Sequence, residues 1–383
     1  MKILFICQQY IHAARWIGQL KDSGNDIYVF DCLDAPIHED LKWTNFTTNW
    51  SKRKLPYLKG EDCLKKHFPK LFYLIEPFLK LTAADKLVEL IKVLKPDLVH
   101  SLEMQSQTYH LLKAKKIGDF KWAYSSWGSD LYFYQNQKNH QHQIKKVLSN
   151  LDYLFTDNSR DINSAIKLGF KGQSMGVFPG GGGYDLKKLQ PLIKPFADRK
   201  LILIKGYHHW AGRALPVLNA LKSIKDSLKG YKIYVYAAHP VVVERICQIN
   251  KETNLKIDYS QRQNEFSHSE LLSKFGQAKI AVGNSVSDGI PNTLLEAIIM
   301  GAFPIQSNPG DVSKDYIKDG INGFLIQNPE DENEIASKIL CALNDENLIK
   351  KAQLENKNLA QKLEYLYIQK EVLKAYKTIQ SQL

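Results

Sequence analysis

Asp288 and Glu296 stand eight positions apart in SDGIPNTLLEAIIMGAFPIQSN, residues 287–308, a stretch with no other charged side chain. Gly289 and Pro291 interrupt regular structure, and Pro291 with Asn292 suits the start of a helix. The first amides of such a helix, around Gly289, Ile290, Pro291, Asn292 and Thr293, lack partners within it and point outward with the positive end of its dipole. That arrangement holds phosphate. Asp288 lies in the loop and Glu296 roughly a turn into the helix, so both can border one crevice. Carboxylates accept hydrogen bonds from hydroxyls, and phosphate with carboxylates beside it suits a nucleotide sugar. Alternatively, Asp288 is a turn residue and Glu296 a solvated helix position, and spacing alone leaves both readings open.

The elements that must position these residues alternate between strands and helices. KILFIC, a helical AARWIGQLKDSG and DIYVFD open the chain as a β-α-β unit, and DLVHSL, WAYSSW and YLFTDN continue it. The rhythm breaks at PGGGGYD (179–185), and Lys187–Arg199, basic and proline-containing, reads as a linker. It then restarts with LILIKGY, ALPVLNALKSI, KIYVYAA, SELLSKFG, KIAVGN, the opening helix and AFPIQS, and the chain ends in charged helix. Strands alternating with helices predict parallel sheets with helices on both faces.

The chain has 383 residues, 44% hydrophobic and 24% charged, enough for two folded domains. No apolar run approaches ~18 residues, and MKILFICQQY is too short an apolar start for a signal peptide, so a cytoplasmic protein is expected. Five dispersed cysteines without a C-x-x-C pair argue against a disulfide framework and a cysteine metal site. A net charge of +12 predicts an anionic partner: nucleic acid, an acidic membrane surface or a phosphate-bearing substrate. The basic residues are dispersed rather than gathered in one stripe, which disfavours nucleic acid. Lys52–Leu81 breaks the alternation by mixing lysines with Phe68, Phe72, Tyr73, Leu74, Ile75 and Phe78. It reads either as a packed helical hairpin or as a basic amphipathic element facing a membrane or acceptor.

DGIPNTLLEAIIMGAFPI, followed by DGINGFL at 319–325, resembles the signature of the retaining glycosyltransferases of family 4, whose E-x7-E pattern appears here as Asp288-x7-Glu296. His12-Ala13-Ala14-Arg15-Trp16, Pro96-Asp97-Leu98-Val99-His100, Trp127-Gly128-Ser129-Asp130 and Gly183-Tyr184-Asp185 are similar to further family segments in the same order. The resemblance implies an α/β fold of two facing Rossmann-like domains (GT-B) with a C-terminal helix crossing back to the first domain. The expected divisions are 1–190 for the acceptor, 191–360 for the nucleotide-sugar donor and 361–383 for the returning helix. It implies that Glu296 binds the donor ribose and that Asp288 lies near the donor sugar. The base, uracil or guanine, is expected near Phe266–Glu270.

Two departures stand out. Where the family commonly has G-R-x4-K, this chain has Gly206-Tyr207-His208-His209-Trp210-Ala211-Gly212-Arg213. That puts Tyr207 at the arginine position and Arg213 beside the lysine position. Arg213 is therefore expected to grip the donor diphosphate, with Lys205, His208 or His209 as a second positive group. Trp127 replaces a family histidine near the donor sugar and is either a core aromatic or a platform for a sugar ring. Asp130 is a helix cap or an acceptor-side carboxylate. His12 and Arg15, at the first strand-to-helix turn, are expected on the cleft side.

The implied activity is transfer of a sugar, with retention, from a UDP- or GDP-linked donor to a glycan or lipid-linked acceptor; a lipid-linked acceptor would put the reaction at the inner face of a membrane. No cofactor, metal or nucleic acid is expected. Rival readings are a sugar-nucleotide 2-epimerase on the same architecture and a non-catalytic binder of anionic surfaces.

Overall fold

Continuous runs such as Ile3–Ile6, Leu98–Leu102 and Ala278–Gly283, buried along their whole length, can only be inner strands covered on both faces. In the computed structural model, which describes residues 1–264 and 266–383 and leaves the side chains of Lys70 and Asn264 outside the description, these runs form the centres of two separate parallel sheets.

The first sheet contains β1 (Lys2–Ile6), β2 (Asp26–Phe30), β3 (Asn45–Thr47), β4 (Leu98–Leu102), β5 (Lys121–Ser126), β6 (Tyr153–Thr156) and β7 (Gln173–Val177). Its strand order is β3-β2-β1-β4-β5-β6-β7, all parallel. The second contains β8 (Leu201–Lys205), β9 (Lys232–Ala238), β10 (Ile257–Gln261), β11 (Ala278–Gly283), β12 (Phe303–Ser307) and β13 (Phe324–Ile326), ordered β10-β9-β8-β11-β12-β13. In each, the chain winds outward from the first strand and then resumes on its other side. The loops after β1 and β4, and after β8 and β11, therefore flank a topological switch point, where ligands of open α/β sheets bind.

The chain divides into two compact units: 1–157, 161–182 and 371–383 in one, and 158–160 with 183–370 in the other. The first division falls at Gly182/Gly183 rather than at 190, because Tyr184 already belongs to the second unit. Its N–H donates to Leu363 O (2.8 Å) and its O accepts from Tyr365 N (2.9 Å). The return falls within the helix Tyr365–Gln380, at Glu371 rather than at 361.

In the first unit, Tyr376 of that helix anchors the return. Its buried hydroxyl accepts from Trp16 Nε1 (3.1 Å) and meets His100 Nδ1 (2.7 Å), while Ser125 Oγ holds the other His100 nitrogen (2.9 Å). Burial pushes the His100 imidazole down to about 3, so it serves as a neutral hydrogen-bonding peg. In the second unit, the proline-containing segment expected to be a linker is pinned by Arg199. Its guanidinium donates to Lys194 O (2.8 Å), Met300 O (3.1 Å) and Gly301 O (2.6 Å).

Candidate functional site

The helix Asn292–Ile299 follows β11 through the loop that begins at Asn284 and contains Asp288. Pro291 occupies its N-cap and lends no side-chain cap. Glu296 is 3% exposed, so it is no solvated helix position. His268 Nε2 donates to its Oε1 (2.8 Å), while Oε2 is buried without a hydrogen-bond partner, as is Thr293 Oγ1 one turn earlier. Buried carboxylate oxygens normally find a donor, and an orphaned one in a helix beside a phosphate-type helix start marks a position that a ligand hydroxyl can complete.

Asp288 stands 4.0 Å from Lys205 Nζ at the end of the neighbouring strand β8. Burial pushes its carboxyl up, and the Lys205 ammonium pulls it back down. Lys205 also lies 4.8 Å from the centre of the Tyr207 ring, and the Arg262 guanidinium 4.9 Å from the same ring. His239 stacks on Tyr207 at 5.4 Å. Its Nδ1 donates to His208 O (3.0 Å), and its Nε2 accepts from Arg262 (2.9 Å). Two cations, one aromatic ring and one carboxylate thus gather at the ends of β8, β10 and β11.

The loop between β8 and its following helix takes this shape because it is stapled to the loop after β11. Arg213 N donates to Asn284 O (2.9 Å), Val286 N to Ala211 O (2.8 Å), and Asn284 Nδ2 to Arg213 O (3.0 Å). Gly206 is required by close approach: a Cβ there would meet Ala238 Cα at 2.6 Å and Tyr236 O at 2.8 Å.

Arg213 does not present a free fork. Its guanidinium donates to His209 O (2.7 Å) and Gly212 O (2.9 Å) and pairs with Glu330. These bonds fold the loop back on its own carbonyls, and the geometry moves the charge nearest Asp288 to Lys205. His208 and His209 likewise act as acceptors: His209 Nδ1 takes Ala211 N–H (3.0 Å), and His208 Nδ1 takes Leu215 N–H (3.4 Å). Burial lowers both imidazoles, helped by Arg213 at His208 and by His239 at His209. Both imidazoles thus commit Nδ1 to nearby backbone amides, as Arg213 commits its fork to the loop's carbonyls.

In the first unit, the sequence-derived residues lie at the loops after β1 and β5. Tyr10, His12 and half-buried Trp127 form a corner of edge-to-face rings, with centres 5.6 Å (Tyr10–His12), 6.0 Å (Tyr10–Trp127) and 6.4 Å (His12–Trp127) apart. Arg15 is half-buried one turn further along the helix Ile11–Gly18. Asp130 is buried: it accepts from Tyr124 Oη and from Trp127 N (3.2 Å), and it clips the turn that carries Trp127. Burial pushes its carboxyl up to about 7, against the Tyr124 bond.

Sequence reasoning did not select Arg262 or His239, and it placed the loop that holds His268 near the base without giving that histidine a role. Each comes from an element remote in sequence from the 288–296 stretch and reaches the site only through the fold. Among the described residues no three His, Cys, Asp or Glu side chains converge to hold a metal ion.

Residues 211–361 match the family model described as Glycosyl transferases group 1, and residues 72–158 match Glycosyl transferase 4-like. Over 179 residues the chain is 25% identical to a Campylobacter jejuni GalNAc-α-(1→4)-GalNAc-α-(1→3)-diNAcBac-PP-undecaprenol α-1,4-N-acetyl-D-galactosaminyltransferase, covering 47% of this chain and 48% of that protein. The match thus spans about half the length of that curated relative. The whole fold is shared with sucrose-phosphate synthase of Thermosynechococcus elongatus, at TM-score 0.73 and 17% identity over 100% of both chains. It is also shared with Anabaena HepE solved with UDP-glucose, at TM-score 0.69 and 13% identity, covering 99% of this chain and 100% of that one. Two segments of the chain are thus similar to glycosyltransferase family models, and its two parallel-sheet α/β units have the GT-B fold of these solved structures.

Proposed function

We propose that the protein moves a sugar, with retention of configuration, from a UDP- or GDP-linked donor to a glycan carried on a lipid at the inner face of a membrane. The observation that carries this reading is the buried, half-satisfied Glu296 beside an uncapped helix start at the switch point of the second sheet. Support for a nucleotide-sugar donor comes from the neighbour solved with UDP-glucose, and support for a lipid-linked acceptor from the printed name of the Campylobacter relative.

In this reading the donor ribose hydroxyls bond Glu296 Oε2, while His268 fixes the other oxygen. The diphosphate rests at the start of the helix Asn292–Ile299, toward the positive end of its dipole. Lys205 and Arg262, both against the Tyr207 ring, take the place of the family's arginine and lysine. Asp288, restrained by Lys205, receives a hydroxyl of the donor sugar. The base lies toward Phe266–Glu270, where the Phe266 ring packs tilted against Tyr234 with centres 5.6 Å apart. The acceptor is taken by the first unit, with the Tyr10–His12–Trp127 corner offering ring faces and edges to a sugar.

Negative charge grows on the diphosphate as it leaves, and fixed amides and cations that need no reorganisation stabilise that charge most. The bond from the anomeric carbon to phosphate breaks as the bond to the acceptor oxygen forms on the same face. The acceptor proton passes to the departing phosphate oxygen. No protein nucleophile and no divalent cation is required for this sequence.

Calorimetric titration with UDP-, GDP-, ADP- and CMP-sugars tests the donor assignment. Saturable binding of a uridine or guanosine sugar, abolished or weakened in Glu296→Gln, is expected. Binding of none of the panel by folded protein rejects it.

A further inference from the structure

Residues Lys52–Leu81 form a closed excursion from the first unit. Leu81 N donates to Lys52 O (2.9 Å), Lys54 N to Leu79 O (2.8 Å), and Arg53 and Lys80 form an antiparallel bridge, so the chain leaves and returns at one place. Between these points lie the helices Glu61–His67 and Pro69–Leu79. The second is attached along one stripe, with Phe72 only 3% and Leu79 only 5% exposed. On a different face, at i, i+3, i+7 spacing, Leu71, Leu74 and Phe78 are 50%, 71% and 72% exposed. A helix that merely packs on its own domain is polar on its outer face; this one carries a second apolar stripe. Among the described residues 22 large hydrophobic side chains are exposed, and eight of them lie between Leu55 and Phe78.

The same segment holds eight Lys and Arg against three Asp and Glu, a net +5 out of +12 for the chain. Arg53 is committed to Glu61 (2.7 Å), Lys80 to Glu76 (2.7 Å), and Lys54 to Pro77 O (2.8 Å). Lys52, Lys59, Lys65 and Lys66 are exposed and have no acidic partner among the described residues, and the Lys70 side chain lies outside them. A second copy of the chain would cover the apolar stripe only by opposing one +5 surface to another. An anionic bilayer satisfies both features, because apolar side chains enter the boundary between headgroups and acyl chains while ammonium groups meet lipid phosphates.

We propose that the Lys52–Leu81 hairpin docks the protein on anionic phospholipid, with Leu71, Leu74 and Phe78 inserted and Lys52, Lys59, Lys65 and Lys66 at the lipid phosphates. No helix among the described residues is long and apolar enough to cross a membrane, so attachment of this kind is interfacial and weakened by salt. The surface adds a place of action to the function proposed above, and its test needs neither donor nor acceptor.

The full chain is sedimented with vesicles of phosphatidylcholine alone or of phosphatidylcholine mixed with phosphatidylglycerol, at low and high salt. Binding only to the mixed vesicles, reversed by salt, is expected. Replacing Lys52, Lys59, Lys65 and Lys66 together by Gln lowers partitioning by at least about 100-fold. Leu74→Ser with Phe78→Ser lowers it about 10- to 100-fold, with unfolding unchanged because both sites are exposed. Equal binding to neutral and acidic vesicles, or binding to neither, overturns the proposal. So does a dimer that the Leu74→Ser/Phe78→Ser variant dissociates while the wild type ignores vesicles.

Discussion

Replacing Arg213 and Lys205 one at a time by alanine separates a loop-forming cation from a ligand-facing one. Arg213 donates to the carbonyls of His209 (2.7 Å) and Gly212 (2.9 Å) and pairs with Glu330. Each carbonyl bond, made by a charged donor, contributes on the order of 1.5 kcal/mol. The ion pair, with the Glu330 side chain 56% exposed, adds little. Arg213→Ala is therefore expected to lose about 3 kcal/mol of stability, which for a unit of this size lowers the unfolding temperature by roughly 6 to 12 °C. Lys205 has one partner, Asp288 at 4.0 Å, and its ring contact with Tyr207, so Lys205→Ala leaves stability within about 1 kcal/mol of wild type. Turnover in Lys205→Ala falls by about 10² to 10³, because the lost charge acts on the departing diphosphate. Differential scanning calorimetry with steady-state kinetics on both variants decides. An Arg213→Ala variant with native unfolding temperature and turnover reduced 100-fold would return the phosphate role to Arg213 and refute the reasoning.

Three further outcomes are expected. Glu296→Gln weakens donor binding by about 1.5 to 3 kcal/mol, read by calorimetry, and unchanged affinity in folded protein removes Glu296 from the site. Activity survives EDTA; complete loss, restored by Mg²⁺ or Mn²⁺, contradicts a metal-free transfer. Asp130 has a folded pKa near 7, above its unfolded value, so its proton is held more tightly in the folded state and stability declines as pH rises from about 4 to 7. Asp130→Asn removes that part of the slope, at most about 1.4 kcal/mol per pH unit, seen as a flatter unfolding temperature between pH 5 and 8. An unchanged slope means that Asp130 is already ionised in the folded protein.

The strands read directly from sequence were the inner ones and their nearest neighbours, because burial on both faces forces long apolar runs. The four strands that escaped notice, β3, β7, β10 and β13, are the two edges of each sheet. β7 (QSMGV) and β10 (IDYSQ) are half polar, since an edge strand is covered less, and β3 and β13 have only three residues each. In the site, Asp288, Lys205 and Glu296 were legible from local spacing and family likeness. The burial of Glu296 was not, because an apolar helix that points one carboxylate inward has the same local sequence as one that points it out. Arg262, His239 and the bond from His268 to Glu296 became visible only when β9, β10 and the helix His268–Gln277 were brought beside β8 and β11. Arg213 shows the converse: its position at a helix start matched a phosphate ligand, yet nearby carbonyls and a glutamate distant in sequence engage its guanidinium.

The most direct measurement incubates wild type and Glu296→Gln with the bound nucleotide sugar and a lipid-linked glycan, and follows both substrates by mass spectrometry and proton NMR. The expected result is a glycan heavier by one sugar residue, joined with the anomeric configuration of the donor, together with equimolar nucleoside diphosphate, all strongly reduced in the variant. Release of nucleoside diphosphate with an isomerised free sugar and an unchanged glycan would instead identify an epimerase, and consumption of neither substrate would contradict glycosyl transfer.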